Sequence, residues 1–133
     1  METFKCISTA LDELVKQGRE KHPQLKPGRS NTYYRNEFGH EYACFIGFAA
    51  LGAGASLEDL AAWENEQGGT AGCLNEVEKD LFAACPNLDY QDRHRVSLFL
   101  NALIEQNDSH GLDYVLEKIK DERYFNAAGS LAP

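Results

Sequence analysis

Tyr42–Gly54 reads YACFIGFAALGAG, thirteen residues without a charge. A bilayer crossing needs roughly 20 apolar residues, so this run is too short to make one. It suits about three helical turns buried on most sides. Gly47 and the alanines Ala43, Ala49, Ala50 and Ala53 keep the surface thin, so neighbouring helices can approach closely. Phe45, Ile46, Phe48 and Leu51 supply the bulk between them. Length and alanine content favour helix over buried strand. Gly52 and Gly54 are placed to stop it. Residues 43–51 therefore read as the central buried helix of the fold.

The other segments are amphipathic and read as helices wrapped against this rod. Thr3–Gln17 places Phe4, Ile7, Leu11, Leu14 and Val15 at helical spacing, with Gly18 or Pro23 as its end. Arg19–Asn31 holds Pro23, Pro27 and Gly28 and reads as a basic loop. Thr32–Glu41 is the strand-like piece, a short hairpin at about 32–42 reversing over Asn36–Gly39. Ser56 with Asp59 resembles a capping box opening a helix that Gly68 and Gly69 close. Gly72–Ala84 follows, with Leu74, Val77, Leu81 and Cys85 as its apolar stripe. Asp89 caps Tyr90–Gln106, where Val96, Phe99, Leu100, Leu103 and Ile104 fall at i, i+3, i+4, i+7 and i+8. Asn107–Gly111 reads as a turn and Leu112–Tyr124 as the last helix. The expectation is a mainly α, compact single-domain bundle of about six helices over residues 1–125. Residues 126–133 are expected to fray as a tail.

At 133 residues the chain is one domain, large enough to bury roughly 68–70% of the surface its unfolded form exposes. No signal peptide or membrane span is visible, so the expected compartment is the cytoplasm. Cys6, Cys44, Cys73 and Cys85 are spaced 38, 29 and 12 apart with no CxxC pairing. They read as reduced, apolar-packed thiols rather than a zinc set, and no cofactor or metal is expected. Lys16–Arg35 carries a net +5, leaving −13 on the rest of a chain whose total is −8. That balance disfavours phosphate backbones and anionic membranes as partners.

The centre and the C-terminal third also resemble a family. An aromatic residue, then Cys44, Gly47 and alanines, is entered from a turn containing Gly39. Later come Asn107-Asp108, a Gly-containing turn and the pattern Leu112, Val115, Leu116, Ile119. This is similar to small helical domains of unknown function from actinobacteria and their phages. Ala43 between Tyr42 and Cys44, and Phe48 in place of a small residue, depart from that pattern. The resemblance implies a compact, mostly helical fold and transfers no activity.

Candidate chemistry follows from residue type. Cys44 would stand near a helix N-terminus, where the dipole lowers a thiol's pKa, with His40, His94 or His110 as base. The competing reading is a small apolar residue packed among alanines. His94 with Asp92, and His110 with Asp108, lack the spacing that puts two metal ligands on one helical face. Gly52-Ala53-Gly54 follows a helix rather than a strand, so it reads as a hinge and not a phosphate cradle. Arg29, Tyr33, Tyr34 and Arg35 form a Tyr/Arg loop suited to a protein contact. Glu58, Asp59, Glu76 and Asp80 belong to acidic clusters that would suit a partner with a basic surface. The expected function is a small acidic, non-enzymatic protein-binding module. It would be a phage or mobile-element accessory protein that inhibits a host nucleic-acid-handling or defence complex. A cysteine-dependent hydrolase or transferase, and a structural homo-oligomer, are the alternatives.

Overall fold

The structure is a computed structural model that describes residues 2–130. Within them lie seven helices and three very short strands. In chain order these are α1 (Glu2–Lys21), β1 (Lys26–Pro27), β2 (Tyr34–Arg35), β3 (Glu41–Ala43) and α2 (Phe45–Gly52). They are followed by α3 (Leu57–Gln67), α4 (Thr70–Ala84), α5 (Tyr90–His110), α6 (Leu112–Ile119) and α7 (Glu122–Ser130). The strands form one sheet in the order β1-β3-β2, with β1 parallel and β2 antiparallel to β3. None of the helices described is long and apolar enough to cross a membrane.

The uncharged run is the core, as expected, and every residue from Ala43 to Gly52 is buried. Its helix begins two residues later than the sequence suggested, because Ala43 still belongs to β3 and Cys44 is the N-cap. α2 packs most extensively on α1 and then on α4. The α1–α2 crossing brings backbone onto backbone. A Cβ at Gly18 would collide with the Phe48 carbonyl oxygen, and one at Gly52 with the Leu14 carbonyl oxygen. Gly18 is thus a contact residue inside α1 rather than its terminator, and α1 runs on to Lys21.

Several local readings match the structure. Ser56 and Asp59 exchange the two hydrogen bonds of a capping box, at 3.0 Å each. Asp89 accepts from the Asp92 N–H at 2.8 Å to start α5. Gly68, with φ +86°, ends α3 in the left-handed region that glycine tolerates. Others differ. Asn107–His110 continues α5 instead of turning, because Asn107 is buried and bonded within the core. The segment expected to be one final helix breaks at Lys120–Asp121 into α6 and α7. The expected tail is helical to Ser130, because Phe125 and Ala128 pack into the core; residues 131–133 lie outside the described residues.

The expectation of four free thiols is corrected for one pair. Cys6 and Cys85 form a disulfide across a sequence separation of 79, with Cα atoms 6.1 Å apart. Linear spacing gave no sign of it, since the pairing depends on the start of α1 lying beside the end of α4. Such bonds persist in oxidising compartments, which pulls against a cytoplasmic location.

Two stability measurements follow. Gly52→Ala or Gly18→Ala should cost about 1–3 kcal/mol or more in urea unfolding, since the clash is with backbone and cannot be relieved by a rotamer. Breaking the disulfide, by reductant or by Cys6→Ser, should cost about 4–5 kcal/mol through the freed loop of the unfolded chain. A loss below about 1 kcal/mol would mean that this closure adds little.

Candidate binding site at the small sheet

The site is built around Asn107, one of three buried polar side chains among the described residues. Asn107 continues the apolar stripe of α5, four residues beyond Leu103, and so points into the core. Its Oδ1 accepts from the Phe45 N–H at 3.0 Å. Its Nδ2 donates to the carbonyls of Gly28 and Arg29, at 3.0 and 3.3 Å. Cys44 makes no side-chain cap hydrogen bond to α2, so the helix is capped from a different element of the chain. One side chain thus ties α5, the start of α2 and the loop after β1 together.

A second tie lies further along the loop. The Thr32 N–H and hydroxyl both donate to Glu64 Oε1, at 2.8 and 2.6 Å. The Thr32 carbonyl occupies the space that a side chain at position 47 would need, which is why Gly47 stands there. Between these two anchors, residues 29–31 are exposed.

Beyond the loop stands the hairpin. Asn36 Oδ1 accepts from the N–H groups of Phe38 and His40, which closes the turn. Tyr34 and Tyr42 are cross-strand partners with stacked rings, centroids 4.8 Å apart and planes within 11°. The Tyr33 hydroxyl donates to Glu41 at 2.6 Å, and burial, followed by this carboxylate, pushes its pKa up to about 12. Pro27, Gly28, Arg29, Ser30, Asn31, Tyr34 and Tyr42 line an open cleft of about 430 Å³. Arg29 Nη1 donates to the Ser109 carbonyl at 3.3 Å. Lys26 Nζ lies 3.2 Å from His40 Nδ1. Among the described residues, no ion pair involves Lys26, Arg29 or Arg35.

The structure therefore brings Arg29 and Tyr34 into one cleft, while Arg35 pairs with Glu41 in register on the other face of the sheet and Tyr33 is tied back to Glu41. It does not assemble the nucleophile. Cys44 is 6% exposed, and burial pushes its thiol up to about 11 despite the N–H groups of Gly47 and Ile46. The helix N-terminus lowers the pKa as the sequence argument expected, but desolvation outweighs it. Asp108 and Glu64 raise it further, and no histidine acts on it. His40 is in the hairpin, His94 is exposed on α5, and His110 packs on the Tyr114 ring at 4.4 Å. Cys73, the other free thiol, is fully buried and likewise raised, first by burial.

The acidic residues are divided between structural and solvent roles. Glu58 and Asp59 are in the first turn of α3, where Asp59 serves the capping box. Glu76 and Asp80 are half-buried on α4. Glu64 holds Thr32, and Glu78 accepts from the Ser97 hydroxyl at 3.1 Å. Among the described residues, no three His, Cys, Asp or Glu side chains are grouped to hold a metal ion. Sequence reasoning missed Asn107, Tyr42 and Asn31. Asn107 carried a usable signal, since it extends the stripe of Val96, Leu100 and Leu103.

Asn107→Ala should lower stability by about 2–4 kcal/mol, because it strands one N–H and two carbonyls in the interior. Urea unfolding measures this, and a loss within about 0.5 kcal/mol would remove Asn107 as the anchor. No family model, curated protein or solved structure matches the chain.

Proposed function

We propose that the protein is a non-enzymatic protein-binding module whose contact surface is the small sheet and its loop. The observation that carries this reading is the stacked Tyr34–Tyr42 pair, standing beside a polar cleft with Tyr34 38% exposed. Paired tyrosines supply large, rigid, amphipathic area, and Tyr and Arg dominate interface energetics. Arg29 lines the same cleft as the rings, without a carboxylate partner among the described residues. The sheet is only two or three residues deep in each strand, and β1 and β2 bury nothing. Its exposed side chains are therefore free to serve recognition.

The cysteine-enzyme alternative finds less support, because a nucleophile must be reachable and ionisable. Cys44 is neither at neutral pH.

Two measurements test the proposal. A photo-crosslinker at position 34 should give a discrete adduct in cells, and Arg29→Glu should abolish it; adducts equally abundant from position 90 would count against the surface. A mild electrophile at neutral pH should leave Cys44 and Cys73 unlabelled in the native protein, with Cys44 labelling accelerating as pH approaches about 11. Fast neutral-pH labelling of Cys44 would return the enzyme reading to first place.

A further inference from the structure

In the loop over 28–32, two successive carbonyls, those of Gly28 and Arg29, turn inward. No peptide bond among the described residues is cis. In a trans peptide the C=O and the following N–H point in opposite directions. The Gly28 and Arg29 carbonyls both turn toward Asn107 Nδ2. The N–H groups of Arg29 and Ser30, which share those two peptide planes, must then turn away from the core. The Gly28 N–H is spent on the Ala43 carbonyl and the Thr32 N–H on Glu64. Between them, the N–H groups of Arg29, Ser30 and Asn31 have no acceptor within the described protein. All three residues line the cleft of about 430 Å³ beside Tyr34 and Tyr42.

Successive backbone amides with no internal acceptor form an anion-accepting surface. Here the surrounding charge has the same sense. Lys26 and Arg29 are cationic and unpaired among the described residues. The acids nearby are Glu37 in the hairpin turn, Glu41, Asp108, and Glu64, whose carboxylate accepts from the Thr32 N–H and hydroxyl. Glu41 is held by the Tyr33 hydroxyl, and Glu37 and Asp108 are exposed. Resting on the binding reading above, we infer that this cleft takes a carboxylate from an acidic segment of the partner protein, received by the amides of residues 29–31, with Arg29 in the cleft lining and Lys26 on the tyrosine face of the sheet. A peptide fits better than a nucleic acid. One face of each tyrosine is used in the mutual stack, which leaves little free ring surface for the base stacking that holds single strands. The inference also gives Asn107 a second role: it is a positioning residue that aims the amides by holding their carbonyls.

Amide-resolved NMR on the full chain tests this. A short peptide alternating Glu and Gly should move the amide protons of Arg29, Ser30 and Asn31 downfield and saturate, while its Gln counterpart leaves them in place. Arg29→Glu should weaken the acidic peptide by about tenfold, and raised salt should weaken it too. Ser30→Pro, which deletes one donor, should weaken it comparably while leaving the helical circular dichroism unchanged. The inference is overturned if those amides do not respond, or if the Gln peptide binds equally well. Inorganic phosphate or a single-stranded oligonucleotide binding more tightly than the acidic peptide would also overturn it. Its failure is separable from failure of the binding surface. A Tyr34-centred adduct that survives while the amides ignore carboxylates sinks only the ligand class, whereas loss of the adduct sinks the surface itself.

Discussion

The close approach of α1 to α2 is the constraint on which the rest of the molecule depends. At Gly18 and Gly52 two helices meet backbone to backbone, each presenting a bare Cα to a carbonyl of the other. That contact draws α2 fully inside, and a helix buried on all sides can contribute no charge or polar side chain. The sequence obeys this over Phe45–Gly52, where every residue is apolar or glycine. Polar work at the end of α2 must then be done by residues from elsewhere, and Asn107 from α5 does it. The tight crossing and the remote cap are two consequences of one decision to bury a helix whole.

How much of this could be read from the chain depends on the range of the interaction. The central rod, the Ser56–Asp59 capping box, the Asp89 cap and the amphipathic stripe of α5 are local, and periodicity and cap chemistry carry them. The hairpin was legible because Asn36–Gly39 can reverse the chain on its own. What escaped was non-local. The Cys6–Cys85 bond joins residues far apart in sequence, and the parallel partner β1 is a two-residue strand containing a proline. The choice between Gly18 and Pro23 as the end of α1 is open in the sequence for the same reason, because the role of Gly18 is set by a helix it meets only in the folded state. Asn107 looked like a turn residue because polar residues near a glycine usually are, yet its phase on the α5 stripe already placed it inside.

The candidate site divides along the same line. Arg29 and Tyr34 sit close in sequence and stay close in space. Tyr42 joins them through strand register, and that register is fixed by the burial of Ala43 on the core side. The Cys44 thiol shows how position and environment can oppose one another. A helix N-terminus lowers a cysteine pKa only where the thiolate keeps enough solvation, and here the dipole acts on a sulfur that the alanine-rich packing has sealed. Position in a helix is a sequence property, whereas burial is a property of everything packed around it.

Asn107 connects the interior to the surface, and this shapes how the site can behave. A loop whose carbonyls are held by a core side chain has less freedom than an ordinary surface loop, since moving it would strand buried polar groups at a cost of about 1–3 kcal/mol each. The Thr32–Glu64 pair closes the other end of the same loop. Fixed at both ends, the intervening amides lose little entropy on meeting a ligand, which is the condition under which a small contact surface can bind usefully. Polar burial in this fold is concentrated where a loop has to be held still, and the tyrosine pair stands beside that loop.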